Sequence, residues 1–150
     1  MAKFRFRMAT LLKLRETARD ERRSALTAAH QAADILRQQE EQLEAETQRL
    51  RLESRNAAGP GTVDIDRLLG ARRYEMILMA QQEDLGRKRK MIDEEIERRR
   101  LALVEANREV RVLELLREKQ IVRHRDEESL KDVKLLDEVA QRVAGREDVA

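Results

Sequence analysis

The sequence predicts an all-α chain: a long antiparallel two-stranded coiled-coil hairpin with a longer, overhanging C-terminal helix. Three observations carry this expectation. The only proline, Pro60, lies between Gly59 and Gly61. Helix interiors lose roughly 3 kcal/mol to a proline and about 1 kcal/mol to a glycine, so this triplet marks the place where the chain turns back. On either side run long charged segments in which an apolar residue recurs every three or four positions. Finally, 41% charged residues with only 2% aromatic and no tryptophan leave little bulky apolar material for a compact globular core. A disordered tail is equally disfavoured, because hydrophobic residues also reach 41% and the net charge is only +2.

The first helix is expected over about residues 8–56. Met8, Leu36, Leu43 and Leu50 hold one heptad position, while Leu11, Ala18, Ala25 and Ala32 hold its neighbour, with Arg15 and Arg22 as interruptions. The middle of this stripe is alanine (Ala18, Ala25, Ala28, Ala29, Ala32, Ala33). Each of those positions buries far less than the roughly 1.5 to 3 kcal/mol of a covered leucine, so the seam there is weak. A turn region follows over about residues 57–66.

The second helix is expected over about residues 67–143, capped by Asp64 or Asp66, with Gly70 able to interrupt its first turns and a frayed tail over 144–150. Leu78, Leu85, Ile92, Ala106 and Leu113 hold one heptad position and Ile96, Leu103 and Val110 the other, with Gln82, Arg89 and Arg99 as polar breaks. Past Gln120 the pattern loses phase, because His124, Glu127 and Glu128 fall where apolar residues are due. At 1.5 Å per residue the first arm is roughly 75 Å long and the second roughly 110 Å. Residues from about Ile121 onward are therefore expected to overhang as a lone helix. Its apolar set, Leu130, Leu135, Leu136, Val139 and Val143, reads as a docking element or, alternatively, as a frayed terminus. The whole chain reads as a single coiled-coil hairpin.

Residues suited to chemistry are few. There is no cysteine, and His30 and His124 are far apart with no metal-ligand spacing around either, so neither a metal nor a cofactor is expected. Gly59-Pro60-Gly61 lacks the lysine and hydroxyl of a phosphate-binding loop. Glu94, Glu95 and Glu97 beside Arg98, Arg99 and Arg100 read as solvated helix faces rather than as paired catalytic carboxylates. The expectation is a protein that is not an enzyme. The basic band Arg87-Lys88-Arg89-Lys90 with Arg98-Arg99-Arg100 raises an RNA-binding hairpin as a reading, but interleaved acids and the absence of aromatic platforms argue against nucleic acid. No run approaches the roughly 20 apolar residues of a membrane span, so a cytoplasmic location is expected.

Two aromatic features stand apart. Tyr74, just past the bend, suits a binding hot spot or, equally, a ring covering the end of the coiled coil near Leu50. Phe4 and Phe6 alternate with Arg5 and Arg7 and could extend the first helix, pack on the second, or meet a partner or membrane surface.

The opening Lys3-Phe4-Arg5-Phe6-Arg7-Met8-Ala9-Thr10-Leu11-Leu12-Lys13-Leu14-Arg15-Glu16, the Tyr74-x-x-x-Leu78 spacing after the bend, and the closing Leu136-Asp137-Glu138-Val139-Ala140-Gln141-Arg142 together resemble the FliJ family. The resemblance spans the chain. It implies a non-enzymatic part of the bacterial flagellar type III export apparatus, a stalk-like coiled coil similar in shape to the central stalk of rotary ATPases. Its implied partners are the export ATPase FliI, the export gate protein FlhA and export chaperones, with peripheral association at the inner face of the cell membrane through the gate. By position, Tyr74 and Leu78 match members of the family's gate-contacting cluster, and Glu46, Arg49 and Glu53 are the first-helix positions that face it. Leu135, Leu136, Val139 and Arg142 fall in the part that meets the ATPase ring. Alternatives to this role are the stalk of a non-flagellar type III secretion system and a generic coiled-coil scaffold.

Overall fold

The computed structural model describes residues 2–59, 61 and 63–149. Two helices, α1 (Ala9–Ala57) and α2 (Ile65–Glu147), pack against each other as an all-α helical hairpin, and there is no strand among the described residues. Pro60, expected at the turn, lies outside the described residues. On its two sides, the Gly59 amide donates to the Asn56 carbonyl at 3.4 Å, and Gly61 has φ +145°, a conformation that side-chain-bearing residues rarely adopt.

Of the two cap candidates, Asp64 is the one used. Its carboxylate accepts from the Arg67 amide at 3.2 Å while its carbonyl accepts from the Leu68 amide at 3.1 Å. Asp66 instead lies in the first turn, where its charge complements the helix dipole. The helix then runs through Gly70 without interruption.

The chain divides into two compact units, and both helices contribute to each. The first unit comprises Met1–Asp20 with Val104–Ala150. Leu12, Val110 and Leu113 are buried together there, Phe6 packs against them, and Arg15 pairs with Glu109 at 2.8 Å. The second unit, Glu21–Leu103, is centred on Leu43, Leu50 and Leu78, with Ala71 and Leu85 packed alongside. In both, rising numbers on α1 meet falling numbers on α2, which is the antiparallel sense.

The residues read as polar breaks in the second unit have partners across the seam. Thr47, only 3% exposed, donates its hydroxyl to the Leu43 carbonyl at 2.8 Å and accepts from the Gln82 amide at 3.3 Å. Arg89 pairs with Glu40 at 2.5 Å. Arg99 donates to the Ala25 carbonyl at 2.5 Å, reaching the α1 backbone where the small alanine side chain leaves it accessible. Ala29 is buried beside this stretch, as the alanine stripe predicts. Satisfying these groups keeps the seam free of buried unpaired side-chain polar atoms among the described residues.

One expectation needs correction. The bare part of α2 was expected from about Ile121, but Gln120, Ile121 and His124 are half-buried, and so is Glu128. Residues 2–6 are not helical and run instead as a strap along α2. The Phe4 ring lies 5.6 Å from the His124 ring, and His124 Nε2 sits 3.1 Å from the Ala2 carbonyl, which it can meet only as a donor. The reach is a matter of geometry. Five residues outside a helix can span up to about 16 Å at about 3.3 Å each, the length of about eleven helical residues. From 129 to 149 every described residue is exposed.

Candidate functional site

Two surfaces gather the residues singled out by the sequence, one in each unit. In the second unit, Tyr74 projects from α2 with 39% of its surface exposed and donates its hydroxyl to the Glu46 carboxylate on α1. Glu46, Arg49 and Glu53, the α1 positions expected to face it, line the hollow beside its ring. This gives the tyrosine an apolar face against Leu50 and a polar tip tied to an acid, the two-sided character that suits aromatic residues at protein interfaces.

Leu78 is placed differently. It is 1% exposed, the most deeply buried large side chain among the described residues, and its neighbours are Leu43 and Leu50. The heptad position and the implied surface role compete for this residue, and it occupies the heptad position. Its side chain is closed off from solvent by the seam, so any part it has in a surface contact runs through the residues it positions.

What sequence reasoning missed is the groove next to Tyr74. It has a volume of about 540 Å³ and is lined on α1 by Gln39, Gln42 and Glu46 and on α2 by Ile77 and Gln81, with Leu43 and Leu85 at its floor. Ile77 is half-open to solvent. The available signal was the position of Ile77 one residue ahead of Leu78, an extra apolar residue off the heptad frame.

In the first unit, the terminal stretch of α2 carries Leu135, Leu136, Val139 and Arg142, all exposed. Leu130, Val133 and Val143 are exposed on the same stretch. At 100° per residue Leu135, Val139 and Arg142 continue the face on which Ile121 and His124 lie, whereas Leu136 and Val143 turn away from it. The apolar surface is accordingly wider than the single stripe of a two-helix seam.

The charges elsewhere are mostly matched. In the basic band Arg87 pairs with Glu83, Lys88 with Asp84, Arg98 and Arg99 with Glu95, and Arg100 with Glu97. The Arg99 hydrogen bond holds the Glu95 carboxyl below its ordinary value, and Arg100 does the same for Glu97. Among the described residues no group of His, Asp or Glu is disposed to hold a metal ion, and no helix is long and apolar enough to cross a membrane.

A two-helix hairpin with exposed terminal leucines is compatible with many coiled-coil proteins, and whole-chain similarity decides among them. The family model described as "Flagellar FliJ protein" matches residues 4–148, nearly the full chain. The chain belongs to the FliJ family. Neither the curated proteins nor the solved structures yield a match. FliJ proteins are structural components of the flagellar export apparatus, and this assignment gives the two surfaces a common context. The FliJ match covers both Tyr74 and the terminal stretch that includes Arg142.

Proposed function

We propose that this FliJ-family protein is a non-enzymatic stalk that couples the export ATPase FliI to the export gate protein FlhA and escorts export chaperones. In this reading the terminal stretch of α2, through Leu135, Leu136, Val139 and Arg142, docks on the ATPase. The surface around Tyr74 meets the gate, which brings the protein to the inner face of the membrane. Leu78 serves that surface indirectly, by fixing the turn of α2 from which Tyr74 projects.

The observation that supports the reading best is the uncovered end of α2. Exposing Leu130, Val133, Leu135, Leu136, Val139 and Val143 on one short helical stretch is costly in water unless a partner covers them, and about 25 cal/mol is recovered per Å² of apolar surface so covered. A wide apolar arc suits a helix enclosed by its partner rather than one laid on a flat surface.

The test is a pull-down with purified FliI using the full chain and a version ending at Glu128. The full chain is expected to retain the ATPase and the shortened one to lose it, with the helicity of the remainder preserved. Equal retention by both would remove the docking role from this stretch.

A further inference from the structure

Residues 2–15 contain five cations and no acid, the first acid being Glu16. In the basic band on α2, by contrast, most cations pair with carboxylates one turn away or across the seam. Arg15 is paired with Glu109, but Lys3, Arg5, Arg7 and Lys13 form no ion pair among the described residues. The strap and the turn after it thus carry exposed positive charge with no acid in the same stretch of chain.

The strap also sorts its side chains by face. Exposure alternates residue by residue over 3–7. Phe4 and Phe6 are the half-buried pair, seated on His124 and on the Leu12, Val110 and Leu113 cluster, while Lys3, Arg5 and Arg7 are exposed. The rings anchor the strap to the helix and leave Lys3 and Arg5 exposed along it, with Arg7 exposed in the turn that leads into α1. Lys13 and Arg117 line the same hollow as the two rings and add to the field, with Glu16 the one acid lining it.

We propose that this cationic cluster is a contact for an anionic phospholipid surface, made by the protein directly and separately from any contact through a partner. A cluster of exposed cations that no carboxylate among the described residues pairs with, Lys3, Arg5 and Arg7, responds to charge density rather than to a particular group. That is how short basic segments recognise acidic leaflets. The rings need not leave their seats for the cations to reach headgroups. The surface lies outside the Tyr74 and Leu135 surfaces, so it stands or falls independently of the ATPase and gate assignments.

The experiment is co-sedimentation of the full chain with phosphatidylcholine vesicles prepared with and without phosphatidylglycerol, at low and at high salt. Three proteins are compared: the natural chain, a variant carrying Lys3→Gln, Arg5→Gln and Arg7→Gln, and a variant carrying Arg87→Gln, Lys88→Gln and Arg98→Gln, which has the same net charge. The natural chain is expected to bind only the anionic vesicles and to be released by salt. The strap variant is expected to bind about a hundredfold more weakly, and the band variant to bind as the natural chain does. Because residues 2–7 lie outside both helices, far-UV circular dichroism of the strap variant should match that of the natural chain. No binding to anionic vesicles, an equal loss in both variants, or capture by soluble polyglutamate in preference to vesicles would each overturn the proposal.

Discussion

The side-chain amide of Gln82 on α2 donates to the hydroxyl of Thr47 on α1 at 3.3 Å, and Thr47 in turn donates to the Leu43 carbonyl one turn earlier on its own helix. A polar pair is thereby placed inside the leucine cluster that holds the second unit together. The bond is made in the alignment that clusters Leu78 with Leu43 and Leu50, and a polar pair at a seam position favours one register over its alternatives. Replacing Thr47 by valine keeps the volume and removes the acceptor. The expected cost is about 1 kcal/mol, read as a lower midpoint in urea unfolding followed by circular dichroism. Replacing both residues by apolar ones is expected to restore or raise the midpoint while broadening the transition, as alternative alignments become accessible.

Tyr74 and Leu78 lie one helical turn apart and are expected to separate cleanly on mutation. Leu78→Ala opens a cavity in the cluster and should destabilise the protein by about 2 to 4 kcal/mol, seen as a lowered thermal midpoint. Tyr74→Ala removes a partly exposed ring and should shift stability by less than about 1 kcal/mol, while reducing retention on immobilised gate protein. A tyrosine variant that unfolds as readily as the leucine variant would assign the ring to packing.

Gly61 is the residue at the turn whose conformation restricts substitution. A β-carbon added there meets no atom within 4 Å, so any penalty comes from the backbone angle alone. Gly61→Ala is expected to cost about 1 kcal/mol without changing helix content, measurable by chemical denaturation.

Acid should weaken the charge pairs of α2 in a defined direction. The carboxyls of Glu95 and Glu97 lie below their ordinary value of 4.5 because Arg99 and Arg100 donate to their ionised forms. A folded-state value lower than the unfolded one gives stability that is present above the unfolded value and disappears as pH falls through the folded value. The thermal midpoint is therefore expected to hold near neutrality and to decline below about pH 4.5, modestly because both carboxylates face water. The combination Glu95→Gln and Glu97→Gln should flatten part of that decline in melts recorded across the acid range.

The hairpin was legible in the sequence because its cause is local and repetitive. Leu43, Leu50, Leu78, Val110 and Leu113 all fall on heptad positions, and all are buried. Gln82, Arg89 and Arg99 were visible only as interruptions, since a heptad frame records that a position is polar but not which atom opposite satisfies it. His124 was read as the point where the pattern fails. It instead faces a strap that returns along α2, and no periodicity in residues 2–6 announces a non-helical segment seated on a helix.

The groove beside Tyr74 escaped for a related reason. It depends on Ile77 lying off the heptad frame while remaining near Gln39 and Gln42, a proximity created by pairing the helices rather than by spacing along either one. The role of Leu78 was ambiguous at the level of letters, because its heptad position and its distance from Tyr74 pointed to opposite environments. Burial decides between them.

The alanine stretch of α1 has a mechanical consequence. In the second unit leucine side chains interlock around Leu78, whereas near Ala29 the α1 side of the seam is largely alanine and Arg99 links to the Ala25 carbonyl. Load or heat applied to this unit parts the helices first at the alanines, and the leucine clasp gives way last, so the unit yields in stages from a built-in weak link.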